Sequence, residues 1–194
     1  MMLGSHNSWS YLTPTKWWMK LLAFTAKCQS KNIVQQYTYY NVRCFDLRVR
    51  FDKENNPIIA HGIIEYNISE KDLFESLEYL NLKGDVYVRI LHEVRTKKQY
   101  TEESIENFVD FIIKLQCRFS NIKFWCGRNL YNWNKDYKFP EPELTCSESY
   151  SSVCSPKIID DWWPWLFAIR NNKKFFKEGT DKDILLIDFV NYGN

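Results

Sequence analysis

No stretch of this 194-residue chain approaches the roughly 20 consecutive apolar residues needed to span a bilayer, so a transmembrane helix is not expected. No Cys-x-x-Cys pair occurs among the six cysteines, at positions 28, 44, 117, 126, 146 and 154, which argues against a zinc site. Formal net charge is only +2, too little for a general nucleic-acid binder with a basic face. Residues 1–30 lack the basic start and unbroken apolar core of a secretory leader, because Lys20 interrupts the run from Trp17 to Ala26. The thiols are therefore expected to be mostly reduced. The expected location is the cytoplasm, or outside the cell if a leader lies beyond this sequence. Repeats and low-complexity tracts are absent.

What is present points to a folded core. Hydrophobic residues make up 45% and charged residues 26%, and the length suits one domain over residues 1–194. Aromatics reach 17%, with eight tryptophans, an excess that either fills a core or serves contacts with ligands and membrane interfaces.

Strand-like and helix-like patterns alternate along the chain. Met1–Leu3 reads as the end of a strand; one or two short helices fall in 14–28 and another in Ser30–Tyr40. "VRCFDLRVRF" (42–51) and "PIIAHGIIEY" (57–66) read as single strands. A helix capped at Ser69 runs to about Leu82. "DVYVRILHEV" (85–94) is apolar on both faces, as a buried parallel strand is. An amphipathic helix over Thr101–Cys117, a strand at 122–126, a loop-rich stretch at 127–158, a helix in the second half of 160–176 and a strand at 183–190 complete the set. About six strands with intervening helices predict an α/β fold built on a mostly parallel sheet. A complete eight-fold barrel usually needs around 250 residues, so a small, irregular or incomplete TIM-like (β/α) barrel is expected.

Only three histidines are available: His6, His61 and His92. His6 and His61 fall at or just after strand ends, where a βα barrel places catalytic groups. Between them, strand alternation puts Asp46, Arg48 and Arg50 on one face and Phe45, Leu47 and Val49 on the other. Charges turned into a barrel need partners, which an Asp46–Arg48 pair supplies while orienting the guanidinium. Two imidazoles and a guanidinium suffice to open a phosphodiester through a neighbouring hydroxyl. One imidazole takes the proton of the attacking oxygen, the other protonates the leaving group, and the guanidinium neutralises charge on the phosphorus oxygens. Singly, each of these residues also has a plain structural reading.

Together, "GSHNSW", "VRCFDLRVRF" and "PIIAHG", in this order and spacing, resemble the phosphatidylinositol-specific phospholipase C X-domain family. The resemblance is dense over residues 3–66, recurs weakly at 85–94 and at "LLIDFV", and leaves 96–182 largely unmatched. It implies a PLC-like phosphodiesterase barrel closer to the bacterial, metal-independent type. His6 would be the general base and His61 the general acid, with a cyclic inositol phosphate formed between the two steps. Asp188 would orient His6. Arg48 would stand where animal members place an acidic calcium ligand, so neither a metal nor another cofactor is implied; Asn7, by contrast, has the animal identity. Parity places Arg89 and Glu93 toward the inositol and His92 outside. Trp18, in "KWWMKLL", matches an interfacial tryptophan, and the Trp162-Trp163-Pro164-Trp165 stretch suits the same surface. The partner implied is an inositol phospholipid or a related headgroup met at a membrane surface, not nucleic acid. Two alternatives stay open: a non-catalytic headgroup-binding module, and a phosphodiesterase for glycerophosphodiesters or RNA.

Overall fold

The computed structural model describes residues 1–94, 99, 101–128, 146–153 and 163–192. The strands are β1 (Met2–Ser5), β2 (Cys44–Phe51), β3 (Pro57–His61), β4 (Ile64–Tyr66), β5 (Val86–His92), β6 (Ile122–Arg128), β7 (Tyr150–Val153) and β8 (Ile184–Ile187). The helices are α1 (Trp17–Leu22), α2 (Ile33–Tyr40), α3 (Glu70–Asn81), α4 (Glu102–Arg118) and α5 (Pro164–Glu178).

β2 is the hub of the sheet. One of its edges pairs in parallel with β5 from Cys44 to Val49, and β5 in turn pairs with β6. Its other edge is shared. The four-residue β1 covers only Cys44 and Phe45, and the longer strand then continues alone until Val49–Phe51 meets β3 antiparallel. β1 pairs with β8, and β8 with β7, both in parallel. The six parallel strands therefore run in the order β7-β8-β1-β2-β5-β6, with the β3–β4 hairpin filling the edge that β1 is too short to reach. The sheet is strongly curled, a mixed α/β half-barrel resembling an incomplete TIM barrel, and among the described residues no ladder joins β6 to β7.

Two expectations need correction. Residues 57–66 are not one strand: Gly62 takes φ 61°, and the chain reverses there into the β3–β4 hairpin. Residues 127–158 are not only loop, because Tyr150–Val153 adds to β8 as an eighth strand. Its short, half-exposed sequence carries no apolar alternation to announce it.

The helices follow from spacing and caps. Leu73, Leu77 and Leu80 of α3, and Phe108, Phe111, Ile112 and Leu115 of α4, recur at helical intervals and bury against the outer face of the sheet. There they meet Phe45, Leu47, Val49, Val88 and Ile90. Each such side chain contributes roughly 1.5–3 kcal/mol when fully buried. Thr101 Oγ1 accepts from the Ser104 amide at 3.1 Å, and Ser69 Oγ from the Asp72 amide at 3.1 Å, so both helices start where the sequence predicts. No described helix is long and apolar enough to cross a membrane.

Parallel register makes the concave face legible. Gly4, Cys44 and Tyr87 lie side by side, as do Asp46, Arg89 and Trp125 one layer higher. Cys44, Tyr87, Trp125, Ile184 and Leu186 form a small second core inside the curl. Gly4 is required there: a Cβ would collide with Leu186 Cδ2 and sit 3.1 Å from Cys44 Cβ. The apolar plug fills the bottom, so the charged residues stand toward the strands' C-terminal ends. The five cysteines among the described residues are free thiols.

Candidate active site

The "SHNS" segment is an ordered loop folded over β2. Asn7 adopts φ 45°, a left-handed turn that asparagine tolerates better than most residues. That turn aims the Asn7 amide at Asp46 Oδ2 (2.9 Å) and the Ser8 amide at the Asp46 carbonyl (2.9 Å). The Asp46 amide donates to Ser8 Oγ at 2.7 Å, and Ser8 Oγ donates to the Ser5 carbonyl at 2.8 Å. The run of small polar residues is what allows a buried, non-repetitive backbone to be satisfied.

His6, directly after β1, is set between two charged partners. Its Nδ1 lies 2.6 Å from Asp188 Oδ1, at the end of β8, and its Nε2 lies 2.5 Å from Arg48 Nη2. A carboxylate accepts and a guanidinium donates, so Nδ1 carries the hydrogen and Nε2 presents its lone pair to the mouth. Gln29 holds the two strand ends together: its Nε2 donates to the carbonyls of His6 (3.1 Å) and Ile187 (2.9 Å), and its Oε1 accepts from the Val190 amide (3.2 Å). Asn172 of α5 donates to the Asp188 carbonyl at 2.8 Å.

Arg48 is anchored at its elbow, with Nε donating to Asp46 Oδ2 at 3.0 Å, while Nη1 faces Glu93 Oε2 at 3.5 Å. Burial would lower its pKa, but Asp46 and Glu93 outweigh that and hold it above the ordinary arginine range. Asp46 also accepts from Arg89 Nε at 2.7 Å. Burial alone would raise the Asp46 carboxyl; the Arg89 and Arg48 guanidiniums prevail and keep it well below the usual carboxylate range. Arg89 lies one layer deeper, its guanidinium over the rings of Trp125 and Tyr150. Glu93 bridges to the hairpin by accepting from the Gly62 amide at 2.8 Å.

That hairpin delivers His61, whose ring stands edge-on to His6 with centroids 5.7 Å apart. Nδ1 of His61 lies 2.8 Å from the Ala26 carbonyl, which can only accept, so Nδ1 carries the hydrogen and Nε2 the lone pair. Burial, reinforced by Arg48 and opposed by Glu93, lowers the His61 pKa to about 4. The Ala26 oxygen is crowded: Tyr66 Oη (3.1 Å), Asn7 Nδ2 (3.4 Å) and Cys28 Sγ (3.4 Å) also point to it.

The fold thus brings together His6, Arg48, Asp46, Asp188, Glu93 and His61, with Arg89 immediately below. The Asn7 side chain is fully buried toward Ala26, and the residue meets Asp46 through its backbone. His92 faces away and stacks on Phe108 with centroids 4.7 Å apart. Trp18 lies outside, on α1, beside Trp17, which is 74% exposed. Phe24 packs edge-on against Trp163, and with Lys27, Ser30, Trp165 and Phe189 they line a cavity of about 370 Å³. Trp162 lies outside the described residues. Gln29, Asn172 and the Ala26 carbonyl escaped sequence reasoning; only the polar run "KCQSKN" hinted at the first.

No protein-family model matches the sequence, and no curated protein matches it either. Solved structures do. A mutant of the phosphatidylinositol-specific phospholipase C from Staphylococcus aureus superposes with a TM-score of 0.63 at 14% identity, over 97% of this chain and 84% of that one. A second mutant of that enzyme gives a TM-score of 0.62 at 13% identity, over 97% and 85% of the two chains. A double mutant gives 0.55 at 14% identity, over 99% and 76%. At such identities the likeness is one of fold: the chain shares the curled, incomplete barrel of these phospholipases.

Proposed function

We propose that this protein is a metal-independent phosphodiesterase of the phosphatidylinositol phospholipase C type, acting on an inositol phospholipid or related headgroup. The observation that supports it best is the setting of His6. Asp188 holds one ring nitrogen, Arg48 meets the other, and a second imidazole stands edge-on beside them.

In this reading His6 Nε2 removes the proton of the inositol 2-hydroxyl as its oxygen attacks phosphorus. Asp188 stabilises the imidazolium that results. Arg48 neutralises the phosphorus oxygens. Its Nε stays on Asp46 while its terminal nitrogens leave Nε2 of His6 for the phosphate. His61 protonates the departing diacylglycerol oxygen. In the free protein its lowered pKa leaves it neutral near pH 7, and an arriving phosphodiester anion raises it toward its task. The cyclic phosphate is then opened by water with the two roles reversed. Arg89 and Glu93 complete the inositol side of the site; Asn7, expected there from the sequence, instead turns its side chain to Ala26 and serves Asp46 through its backbone amide. Trp17 and Trp18 seat the mouth on the lipid surface.

The test is phosphorus NMR on phosphatidylinositol vesicles. A five-membered cyclic phosphate is expected, lost by roughly 10²-fold or more in His6→Ala and in His61→Ala, and unaffected by EDTA. Turnover that vanishes with EDTA would overturn the role of Arg48. Headgroup binding without turnover would establish the binding-module alternative.

A further inference from the structure

Cys28 has no part in the reaction described above, yet its thiol lies among the reacting groups. It is fully buried, and its Sγ is 3.7 Å from His61 Nδ1. More telling, a ring nitrogen of His6, the Cys28 sulfur and a carboxylate oxygen of Asp188 all lie within 4.8 Å of one another, and all three residues are buried. We propose that Cys28, His6 and Asp188 form an inhibitory site for a thiophilic divalent cation such as Zn²⁺ or Cd²⁺.

The donor set is one thiolate, one imidazole and one carboxylate. Sulfur and imidazole suit zinc and its softer relatives, whereas calcium requires oxygen ligands. Tetrahedral zinc bonds place neighbouring donors about 3.2–3.6 Å apart, so spans that are at most 4.8 Å must close by no more than roughly 1–1.5 Å. His6 Nδ1 and Asp188 Oδ1, at 2.6 Å, must instead open slightly as the metal replaces the hydrogen between them. The buried thiol gives up its proton only as the cation's charge takes the proton's place. Its hydrogen bond to the Ala26 carbonyl is long, at 3.4 Å, and that oxygen keeps His61 and Tyr66 at 2.8 and 3.1 Å.

Charge also favours a cation. Asp46, Glu93 and Asp188 contribute three negative charges at the mouth, against two positive from Arg48 and Arg89. Binding releases one proton overall. The Cys28 hydrogen goes to solvent, and the His6 hydrogen moves from Nδ1 to Nε2 so that Nδ1 can bond the metal. Nε2 then carries a hydrogen. It can accept neither from a substrate hydroxyl nor from Arg48, so the base is switched off and the Arg48 terminal nitrogen must turn away from it.

Metal binding does not depend on the reaction, whereas the inhibition rests on the phosphodiesterase reading. Cadmium titration separates the two, because the thiolate-to-cadmium charge-transfer band in the ultraviolet needs no substrate. Wild-type protein should bind one equivalent more than Cys28→Ser, with the extra band intensity to match. Equal stoichiometry in the two proteins would assign the band to other thiols and overturn the site. Should circular dichroism show Cys28→Ser unfolded, His6→Gln keeps the thiol. It should bind at least tenfold more weakly, and unchanged affinity would overturn the proposal. On vesicles, Zn²⁺ should inhibit wild type reversibly, relieved by a chelator, with the half-inhibiting concentration at least tenfold higher in Cys28→Ser. A cadmium band with no activity in any assay would sink the phosphodiesterase reading and leave the site standing.

Discussion

Replacing Asp46 by alanine is the perturbation whose consequence can be worked most fully from the structure. The carboxylate is completely buried and accepts from Arg48 Nε at 3.0 Å, Arg89 Nε at 2.7 Å and the Asn7 amide at 2.9 Å. Asp46→Ala leaves two guanidiniums and one amide without their shared acceptor in a layer buried from solvent. Breaking a buried pair by removing one partner costs about 3–5 kcal/mol, chiefly because the remaining charge stays uncompensated. For a chain of this size that is a fall in Tm of about 6–20 °C. Equilibrium urea unfolding followed by tryptophan fluorescence measures it directly. Asp46→Ala with Arg89→Met removes one of the two charges that Asp46 neutralised and should recover at least about 1 kcal/mol.

The pH dependence gives a second check on the same residue. Unfolded, the carboxyl titrates near about 3.9; folded, it titrates lower, because Arg89 and Arg48 favour the charged form. Its contribution is therefore complete above about pH 4 and disappears as pH falls through the folded value. The gap between wild type and Asp46→Ala should stay level from pH 8 to 5 and narrow only in stronger acid. A loss under about 1 kcal/mol at pH 7, or a double variant no more stable than the single one, would refute the claim that Asp46 neutralises this layer.

His92 makes the fold acid-sensitive by the opposite route. Burial lowers its pKa to about 4, with Glu93 opposing and Arg50 assisting, so stability is complete above about pH 6.5 and is lost toward pH 4. His92→Phe, which keeps the stack on Phe108, should remove about 2–3 kcal/mol of the difference between urea unfolding at pH 7.5 and at pH 4.5; identical differences would count against it. Gly4→Ala should cost about 1–3 kcal/mol by overpacking the interior, and Leu186→Ala in the same chain should relieve part of that in the same assay. Trp17→Ala and Trp18→Ala should each weaken partitioning onto phosphatidylinositol vesicles by about tenfold, as loss of a large interfacial apolar group requires. Unchanged sedimentation with the vesicles would leave α1 without an interfacial role.

How much of this could be read from residues alone depends on what carries each feature. Alternation along 44–51 and 85–94 placed Asp46, Arg48, Arg89 and Glu93 on one face and His92 on the other, because in-register parallel strands translate sequence parity directly into inside and outside. The β3–β4 reversal was harder, since a run of apolar residues flanking Gly62 reads equally well as one strand. His6 and Asp188 are 182 residues apart, and no local pattern joins them; they meet because β1 and β8 are neighbours, which is a property of the sheet topology. Least legible were the groups that hold the histidines in place. His61 takes its tautomer from the Ala26 carbonyl, an atom every residue possesses, and Gln29 joins β1 to β8 through backbone oxygens. Sequence displays the side chains that bear charge, whereas the orientation of the His61 ring is set by a backbone atom that only the fold can aim. The same division explains why Cys28 was counted as a thiol of no special standing until the fold set it against His6 and Asp188.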